Sequence, residues 1–397
     1  MRTAPCCCCG RRALAALKLP AAWPGVASDC RLWPRAGALA RCRFCGHVQK
    51  TIGRAWLADI AKIYGSYGIY HLSGGAEQLI FKEQNVLAKS ARMLSCLNAF
   101  QPLPRRGRLL DVGCGNGSLL RSFHALRPKW RLEGTEQSRR FEAAIRKIPG
   151  VTNFYASSLK DLNEKYDLIT LLNVFEHLPD PLAALRILRP LLAKSGKILI
   201  QVPNLLENPF DLMVVDHRSH FTPATLARVT RSADFQCLAL KTNWVAKEIS
   251  LLLAPSGIDH GKTTAKYAIA VCATGDAAHP AAWLKACAAE AADLAKKHGP
   301  KNFGIFGTAI AGTWLGGMLG RSFSFFVDED PHKSGKRHLG RPIYAPAHVP
   351  EGANVFLAFP EPMAVKVAAR LKERYPRLKV CVKRTAKRRT GLQCQKR

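Results

Sequence analysis

The fold of the largest predicted region of this 397-residue chain is indicated by one segment, Leu109-Leu110-Asp111-Val112-Gly113-Cys114-Gly115-Asn116-Gly117. An apolar run ends in an acidic residue and a glycine-rich turn, and the pattern predicts a helix from Ser118 onward. The three glycines let the backbone approach a ligand where a side chain would collide. Free N–H groups at the start of the helix can face the same ligand. The segment therefore predicts a strand–turn–helix unit that binds a small molecule.

Two further elements follow this unit in order. Glu136 comes directly after a predicted strand, and residues 166–181 run from a strand into Glu176-His177-Leu178-Pro179. Together the three elements resemble the class I S-adenosylmethionine-dependent methyltransferases. The resemblance implies S-adenosylmethionine as cofactor, with the acid of the second strand accepting the ribose hydroxyls. The alternative is an α/β domain with a glycine-rich turn and no ligand. The cofactor-binding residues that we predict are Asp111, Gly113, Gly115, Gly117, Glu136, Ser158, Leu159, Asn173 and Tyr70.

The order of apolar strands and helical segments predicts a doubly wound α/β sheet for the core, with a second Rossmann-like α/β unit behind it. Strands are predicted at 108–112, 131–135, 168–172, 197–202, 236–242, 244–252 and 267–273, and helices at 55–63 and 76–98. The predicted regions are a zinc-binding domain (1–50), a helical lead (51–100), the cofactor-binding core (101–278), a connecting helix (279–298), the second α/β unit (299–385) and a basic tail (386–397).

Cysteines dominate the first fifty residues. Cys6-Cys7-Cys8-Cys9-Gly10 and Cys42-Arg43-Phe44-Cys45-Gly46 form two C-x-x-C-G knuckles. Each knuckle offers two thiolates on a tight turn, and four thiolates complete a tetrahedral zinc shell. Fourteen cysteines without an export signal favour thiols and metal ligands over disulfides. We predict a structural zinc ion on Cys6, Cys9, Cys42 and Cys45, while Cys7 or Cys8 stay open as alternatives in the first knuckle.

The arrangement of the whole chain resembles the nucleotide-sugar C-methyltransferases, which methylate a 4-keto deoxysugar. The residues that carry this likeness are 28–34, 45–50, 64–73, 202–204, 208–211, 304–307, 327–335 and 340–344. In that family a Tyr-x-Glu-His element provides the base that removes a carbon-bound proton. Asp216 and His217 match its Glu-His pair, His177 matches another histidine facing the substrate, and Val214 stands in place of the tyrosine. The resemblance therefore implies His217, Asp216 and His177 as catalytic residues and a nucleotide sugar as partner.

Several alternatives remain open at this point. An O- or N-methyltransferase acting on another small molecule would use His217 to deprotonate a hydroxyl or an amine, and a non-catalytic protein would only hold the cofactor. His217 and His220 could instead cap the following helix or lie exposed. Tyr64, Tyr67 and Tyr70 could close over the cofactor or form an ordinary packed turn. The second glycine-rich turn, residues 307–312, lacks a middle glycine, which argues against a dinucleotide.

Composition narrows the class of partner. The formal charge is +32, from 60 Lys and Arg against 28 Asp and Glu, and it is spread along the chain. Such a charge attracts anions, but basic residues are not interleaved with base-stacking aromatics, so a generally basic surface is favoured over nucleic-acid binding. No apolar stretch reaches 18 residues, which predicts no transmembrane helix. We expect a cytoplasmic protein and leave its oligomeric state open.

Overall fold

A computed structural model describes residues 4–68, 71–82, 85–156, 159–257 and 278–383. The chain divides into two compact units, residues 1–284 and 285–397. The predicted strand at 267–273, the predicted cofactor ligands Ser158 and Tyr70, and the basic tail lie outside the described residues.

A four-stranded sheet begins the first unit, in a region where the sequence shows little periodicity. The first fifty residues contain β1 (Leu14–Leu17), β2 (Gly25–Val26), β3 (Leu32–Trp33), β4 (Leu39–Cys42) and β5 (Val48–Lys50), of which β2 and β3 pair separately with each other. The strand order is β1-β4-β5-β13, and β13 (Ser219–His220) comes from a distant part of the chain. It pairs antiparallel with β5, with Ser219 opposite Gln49 and His220 opposite Val48. The cysteine region and the core therefore share one sheet.

The segment between this sheet and the core is only partly helical. Helix α1 (Arg54–Gly65) agrees with the prediction at 55–63. The helix predicted at 76–98 is wrong in its first half, where β6 (Leu79–Lys82) and β7 (Asn85–Ala88) form an antiparallel hairpin. The run Leu79-Ile80-Phe81 favours a strand because branched and aromatic side chains fit a pleated surface. Helix α2 (Lys89–Phe100) then buries Met93, Leu94 and Leu97 at helical spacing.

The core of the first unit is a seven-stranded mixed sheet with order β10-β9-β8-β11-β12-β15-β14. Strand β15 runs antiparallel to both of its neighbours, and the other strands run parallel to one another. The predicted strands at 108–112 and 131–135 are confirmed. The elements are β8 (Arg108–Val112), α3 (Ser118–Leu126), β9 (Arg131–Thr135), α4 (Glu142–Arg146), β10 (Val151–Tyr155), β11 (Tyr166–Leu172), α5 (Pro181–Leu188), β12 (Leu192–Pro203), α6 (Pro223–Arg231), β14 (Phe235–Lys241) and β15 (Glu248–Pro255).

Alternating residues of the strands bury two opposite faces of this sheet. Leu109 and Leu168 pack with α2 and α3, whereas Leu110 and Ile169 pack with α5 and α6. Near-continuous apolar strands are typical of a sheet covered on both sides. The strand order reverses between β8 and β11, and ligands of open α/β sheets bind outside the carboxyl ends of the strands at such a point. The packing therefore brings the turn after β8 and the ends of β9 and β11 to one edge.

The second unit contains its own α/β sheet, with strand order β18-β19-β17-β16-β20-β21. Its first strand, β16, covers Phe303–Phe306 and is buried along its whole length. The carboxylate of Asp328 accepts hydrogen bonds from the backbone N and Oγ1 of Thr308 and from Lys333. The elements are α7 (Ala278–His298, which begins in the first unit), β16 (Phe303–Phe306), α8 (Ile310–Leu319), β17 (Phe325–Val327), β18 (Arg337–His338), β19 (Arg341–Tyr344), β20 (Asn354–Leu357), α9 (Glu361–Arg374) and β21 (Lys379–Val382).

Among the described helices, none combines the length and the apolarity that a membrane crossing requires.

Candidate active site

The glycine turn (residues 113–117) has the backbone conformation that its sequence predicts. Gly113, Gly115 and Gly117 all adopt positive φ, at 68°, 54° and 81°. A Cβ on Gly113 would lie 2.5 Å from Cγ2 of Val174, and one on Gly117 would lie 2.6 Å from Cδ1 of Ile148. Side chains at these positions would therefore be both strained and obstructed. Helix α3 begins at the next residue, so its free N–H groups border the turn.

Glu136 lies beside this turn, at the end of β9. Its Oε2 accepts a hydrogen bond from the backbone N of Gly115 at 2.9 Å, and its Oε1 accepts one from Gln137 N at 2.8 Å. The side chain is half-buried. Each carboxylate oxygen has two lone pairs, so both can still accept a hydroxyl donor. Two adjacent acceptors next to a glycine-lined turn fit a vicinal diol such as a ribose.

Asp111 and Asn173 occupy the neighbouring strand ends. Asp111 is buried and accepts a hydrogen bond from Thr170 Oγ1 at 2.7 Å, and burial raises its pKa to about 7. The side chain of Asn173 is engaged within the protein, because its Oδ1 accepts from Lys89 and its Nδ2 donates to Glu176 and Glu248. A ligand contact from Asn173 therefore falls to its main chain, which has a φ of 53°.

Leu159 packs against the core from a 3-10 turn after β10. Of the predicted cofactor residues, the structure thus brings the turn glycines, Asp111, Glu136 and Asn173 to one edge of the sheet.

A second group of polar residues lies in the segment 211–220, which we call the histidine loop. His217 and His220 are buried, at 6% and 0% exposure, so neither lies on the surface. They do not cap the next helix either, because Thr222 does so with Thr225 in a capping box. Both histidines instead face the carboxylate of Asp211. His217 Nδ1 lies 2.6 Å from Oδ1, and His220 Nδ1 lies 2.7 Å from Oδ2.

Asp211 is the residue that the sequence reasoning missed. In the sequence, Asp211 belongs only to a segment of family likeness, whereas Asp216 and His217 together match the Glu-His pair of the resembled family. In the structure the Asp216 carboxylate accepts from Ser28 N at 2.8 Å and from Ser28 Oγ at 2.5 Å. Adjacent side chains in a loop diverge, so a carboxylate six residues earlier reaches the imidazole instead.

The charges of Asp211, His217 and His220 determine which of these residues is protonated. Asp211 raises the pKa of His217 to about 9 against the opposing effect of burial, and the two histidines hold the pKa of Asp211 well below its usual range. Burial lowers the pKa of His220 to about 4. An imidazole with a buried carboxylate partner is a stronger base than an isolated one.

His177 completes the group. Its ring stands edge-on to that of His217, with centroids 4.6 Å apart and planes at 89°. Its Nδ1 lies 3.0 Å from the carbonyl oxygen of Asp216 and 3.1 Å from the hydroxyl of Tyr64. Burial lowers the pKa of His177 to about 4. The sequence-predicted residues 177, 216 and 217 are therefore neighbours, with Asp216 oriented toward His177 and not toward His217.

Val214 and two tyrosines also lie in this region. Val214, at the position of the family tyrosine, is buried and forms a β-bridge with Val26. Its replacement of tyrosine therefore does not open space beside the histidines. Tyr64 and Tyr67 lie near the histidine loop, since Tyr64 faces His177 and the hydroxyl of Tyr67 lies 3.2 Å from Oγ of Ser28.

Comparison with known proteins addresses this arrangement directly. Residues 87–240 match the family model described as a methyltransferase domain. This range contains the glycine turn, Glu136 and the histidine loop. The chain carries a class I S-adenosylmethionine-dependent methyltransferase domain. This domain has a mixed central sheet.

Curated relatives match about a third of this chain. The ubiquinone biosynthesis O-methyltransferase of Cereibacter sphaeroides is 34% identical over 152 residues, covering 35% of this chain and 56% of the relative. The enzyme of the same name from Aeromonas salmonicida is 26% identical over 148 residues, covering 32% and 61%. Among solved structures, the plantazolicin methyltransferase BpumL has a TM-score of 0.40 and 15% identity, covering 51% of this chain and 95% of its own. The chain thus spans less than two thirds of the length of these curated relatives. The nucleotide-sugar subtype finds no support in these names.

A cluster of four thiols precedes the methyltransferase domain. Sulfurs of Cys6, Cys9, Cys42 and Cys45 all lie within 4.8 Å of one another, and the pairs Cys6–Cys45 and Cys9–Cys42 are 3.7 Å apart. Tetrahedral zinc with bonds of about 2.3 Å requires sulfurs about 3.8 Å apart, so the donor set fits that ion. The alternatives in the first knuckle point elsewhere. Cys7 lies 3.4 Å from His47 and from Ser219, and Cys8 donates to Thr225 O.

Proposed function

We propose that the protein transfers a methyl group from S-adenosylmethionine to a small-molecule acceptor that loses its proton to His217. When bound, the cofactor supplies an electrophilic methyl group. The observation that carries the proposal is the 2.6 Å contact between His217 and the buried carboxylate of Asp211, within the methyltransferase domain. A general base needs such a partner to stabilise the imidazolium that it becomes.

The cofactor would be held by residues of the glycine turn and by Glu136. Its ribose hydroxyls would donate to the two carboxylate oxygens of Glu136, next to Gly115 N. Asp111 would lie near the amino-acid end of the cofactor, and Asn173 would contribute its main chain. Ser158, Leu159 and Tyr70 remain predicted contacts.

The acid–base work would be divided within the histidine group. Asp211 holds Nδ1 of His217, which leaves the other ring nitrogen to take the acceptor's proton. His177 would face the same acceptor, oriented by the carbonyl of Asp216. Asp216 would then act by positioning His177 through its own anchor on Ser28 and not as a partner of the base. This revises the role that sequence matching had implied for it.

Two classes of acceptor fit this chemistry. Carbon beside the ketone of a nucleotide-linked sugar is the acceptor implied by the sequence likeness outside the methyltransferase domain. A hydroxyl is the class favoured by the relatives, which are named as O-methyltransferases. Both lose a proton and pass through an oxygen-bearing anion, so the same base serves either. The hydroxyl is the acceptor that we propose first.

Product analysis tests this proposal. The purified chain would be incubated with S-adenosylmethionine and, separately, with a phenolic hydroxyl acceptor and a nucleotide-linked keto sugar. We expect S-adenosylhomocysteine to form only with an acceptor present, and NMR of the product would identify the methylated atom. Tight binding of the cofactor without turnover on any acceptor would instead indicate a binding protein.

We further propose that the cysteine cluster holds a structural zinc ion. Cys45→Ser should remove the ion from the purified protein, as measured by elemental mass spectrometry. Cys7→Ser is the matched control, since Cys7 lies in the same knuckle but outside the cluster. Because bound metal contributes directly to folding in small metal domains, the Cys45 variant should also melt at a lower temperature. Equal zinc content in both variants would refute the assignment.

A further inference from the structure

Asp211 lies against two histidines, and the proposed function does not say which of them keeps the proton. Its single carboxylate faces two imidazoles at nearly the same distance, 2.6 Å to His217 and 2.7 Å to His220. A proton taken from the acceptor could therefore settle on either ring. Only His217 stands against His177, at 4.6 Å between ring centroids, so only a proton on His217 stays beside the acceptor.

The surroundings of His220 disfavour the doubly protonated, charged form of its imidazole. Its side chain has 0% exposure, against 8% for His217. Its Nε2 is buried and has no hydrogen-bond partner within the described part of the chain. A protonated His220 would thus bury an N–H donor without an acceptor, which is costly, whereas a neutral ring leaves only a lone pair there.

Lys50 adds a positive charge on the same side. His220 lies opposite Val48 in the β5–β13 pair, and Lys50 is two residues from Val48, hence on the same face of β5. Lys50 is fully buried, and its Nζ donates to Leu212 O at 2.8 Å and to Ala36 O at 2.5 Å. A diagonal neighbour across a strand pair lies close enough for its charge to be felt.

The charged and titratable groups around the cluster agree with this arrangement. Burial lowers the pKa of Lys50 to about 7, while Asp211 and Asp216 favour its charged form. The charge of Lys50 in turn lowers the pKa of His220. The charge on His217 interacts with Asp211, Asp216, Glu176 and His177, and that on His220 interacts with Asp211, His217, Lys50 and His47.

We propose that Lys50 is a positioning residue that keeps the proton of the Asp211 cluster on His217 and off His220. This proposal rests on the proposed function, in which His217 is the base. The backbone of Lys50 strengthens the placement, because its N donates to Arg218 O and its O accepts from the Arg218 guanidinium. Lys50 thus contacts the histidine loop on both sides of His217, at residues 212 and 218.

Imidazole NMR of the full chain tests this as a pH titration, with the starting pattern read at pH 6, where most of Lys50 carries its charge. The protein would be labelled with ¹⁵N-histidine and saturated with S-adenosylhomocysteine, and signals would be assigned with His217→Asn and His220→Asn. In the wild type we expect a doubly protonated His217 and a neutral His220. In Lys50→Met, which keeps the length of the side chain, the titration midpoint of His220 should rise by about one pH unit or more. Lys50→Arg should restore the wild-type pattern.

Gln49→Met is the control for lost buried polarity on the same strand, and it should leave the histidine pattern unchanged. An unchanged His220 midpoint in a Lys50→Met protein that still binds S-adenosylhomocysteine would overturn the proposal. If Lys50→Met does not fold, the wild type decides alone, because a neutral His217 beside a protonated His220 contradicts it. The readout needs no methyl transfer, so a failure of the proposed function would appear separately, as absent turnover with an intact histidine pattern.

Discussion

The glycine turn and the histidine loop of the first unit differ in how they are held. The glycine turn is fixed by its own strand and helix and by Glu136 at the end of the adjacent strand, and the side chain of Glu136 is half-buried. The histidine loop contains buried charges whose partners include Ser28 and Lys50, from the cysteine region. The glycine turn is held by residues close to it in the chain and is partly exposed. The histidine loop is held by residues far away in the chain and is buried. Cofactor binding and proton removal should therefore respond to different substitutions.

The largest separation is expected from Asp211→Asn. Loss of the carboxylate leaves His217 without its partner, and positioned general bases contribute about 10²–10⁴-fold, so turnover should fall by that order. Calorimetry should give an unchanged affinity for S-adenosylhomocysteine. Since Asp211 acts through His217, the double variant with His217→Asn should be little worse than either single one. A tenfold loss of cofactor affinity would break the proposed division between the two sites.

Glu136→Ala should show the reverse pattern. Removing a charged acceptor of hydrogen bonds costs roughly 1.5–3 kcal/mol, which corresponds to about 10- to 100-fold weaker cofactor binding. The Michaelis constant for the acceptor should stay the same in steady-state assays. Glu142→Ala is a suitable control, because that side chain pairs with Arg139 and Arg146 on the following helical turn.

The pH profile sharpens the comparison further. Because Asp211 raises the pKa of His217 to about 9, kcat/KM should rise with pH and level off near pH 9. In Asp211→Asn the rising limb should move toward the ordinary imidazole value of about 6.5. A wild-type profile flat from pH 5 to 8 would instead assign the base to His177, whose pKa is about 4.

The same shift has a consequence for stability. The folded pKa of His217 lies above its unfolded value, so its contribution is complete below about pH 6.5 and is lost as the pH rises through about 9.

The smallest effect on activity is expected from Val214→Tyr, which restores the family residue. Val214 is 1% exposed and bridged to Val26, so the larger ring would overpack the site and cost about 1–3 kcal/mol in the free energy of unfolding. Chemical denaturation measures this cost, and turnover at 25 °C should not increase. A gain in turnover would show that residue 214 reaches the acceptor.

The difference between features encoded by neighbouring residues and features that depend on distant residues explains what could be predicted from the sequence. The strands at 108–112 and 131–135, the glycine turn and Glu136 were predictable because each is encoded within a few contiguous residues. The four clustered cysteines also follow from local knuckle spacing. The Asp211–His217 pair could not be predicted, since nothing in the spacing distinguishes a carboxylate six residues away from the adjacent Asp216. The β6–β7 hairpin was missed because periodicity alone does not distinguish a short apolar run in a strand from one in a helix, although the residue types at 79–81 favour a strand.

Strand β13 has a consequence for the order of folding. Lys50 and Leu212, which its pairing brings together, are 162 residues apart in the chain. Contacts of such separation carry a large loop-closure cost and are slow to form. The mixed sheet with its glycine turn can assemble from nearer neighbours, so the histidine loop should be the last part of the first unit to gain protection from hydrogen exchange during refolding. A newly made chain would then bind its cofactor before it can remove a proton.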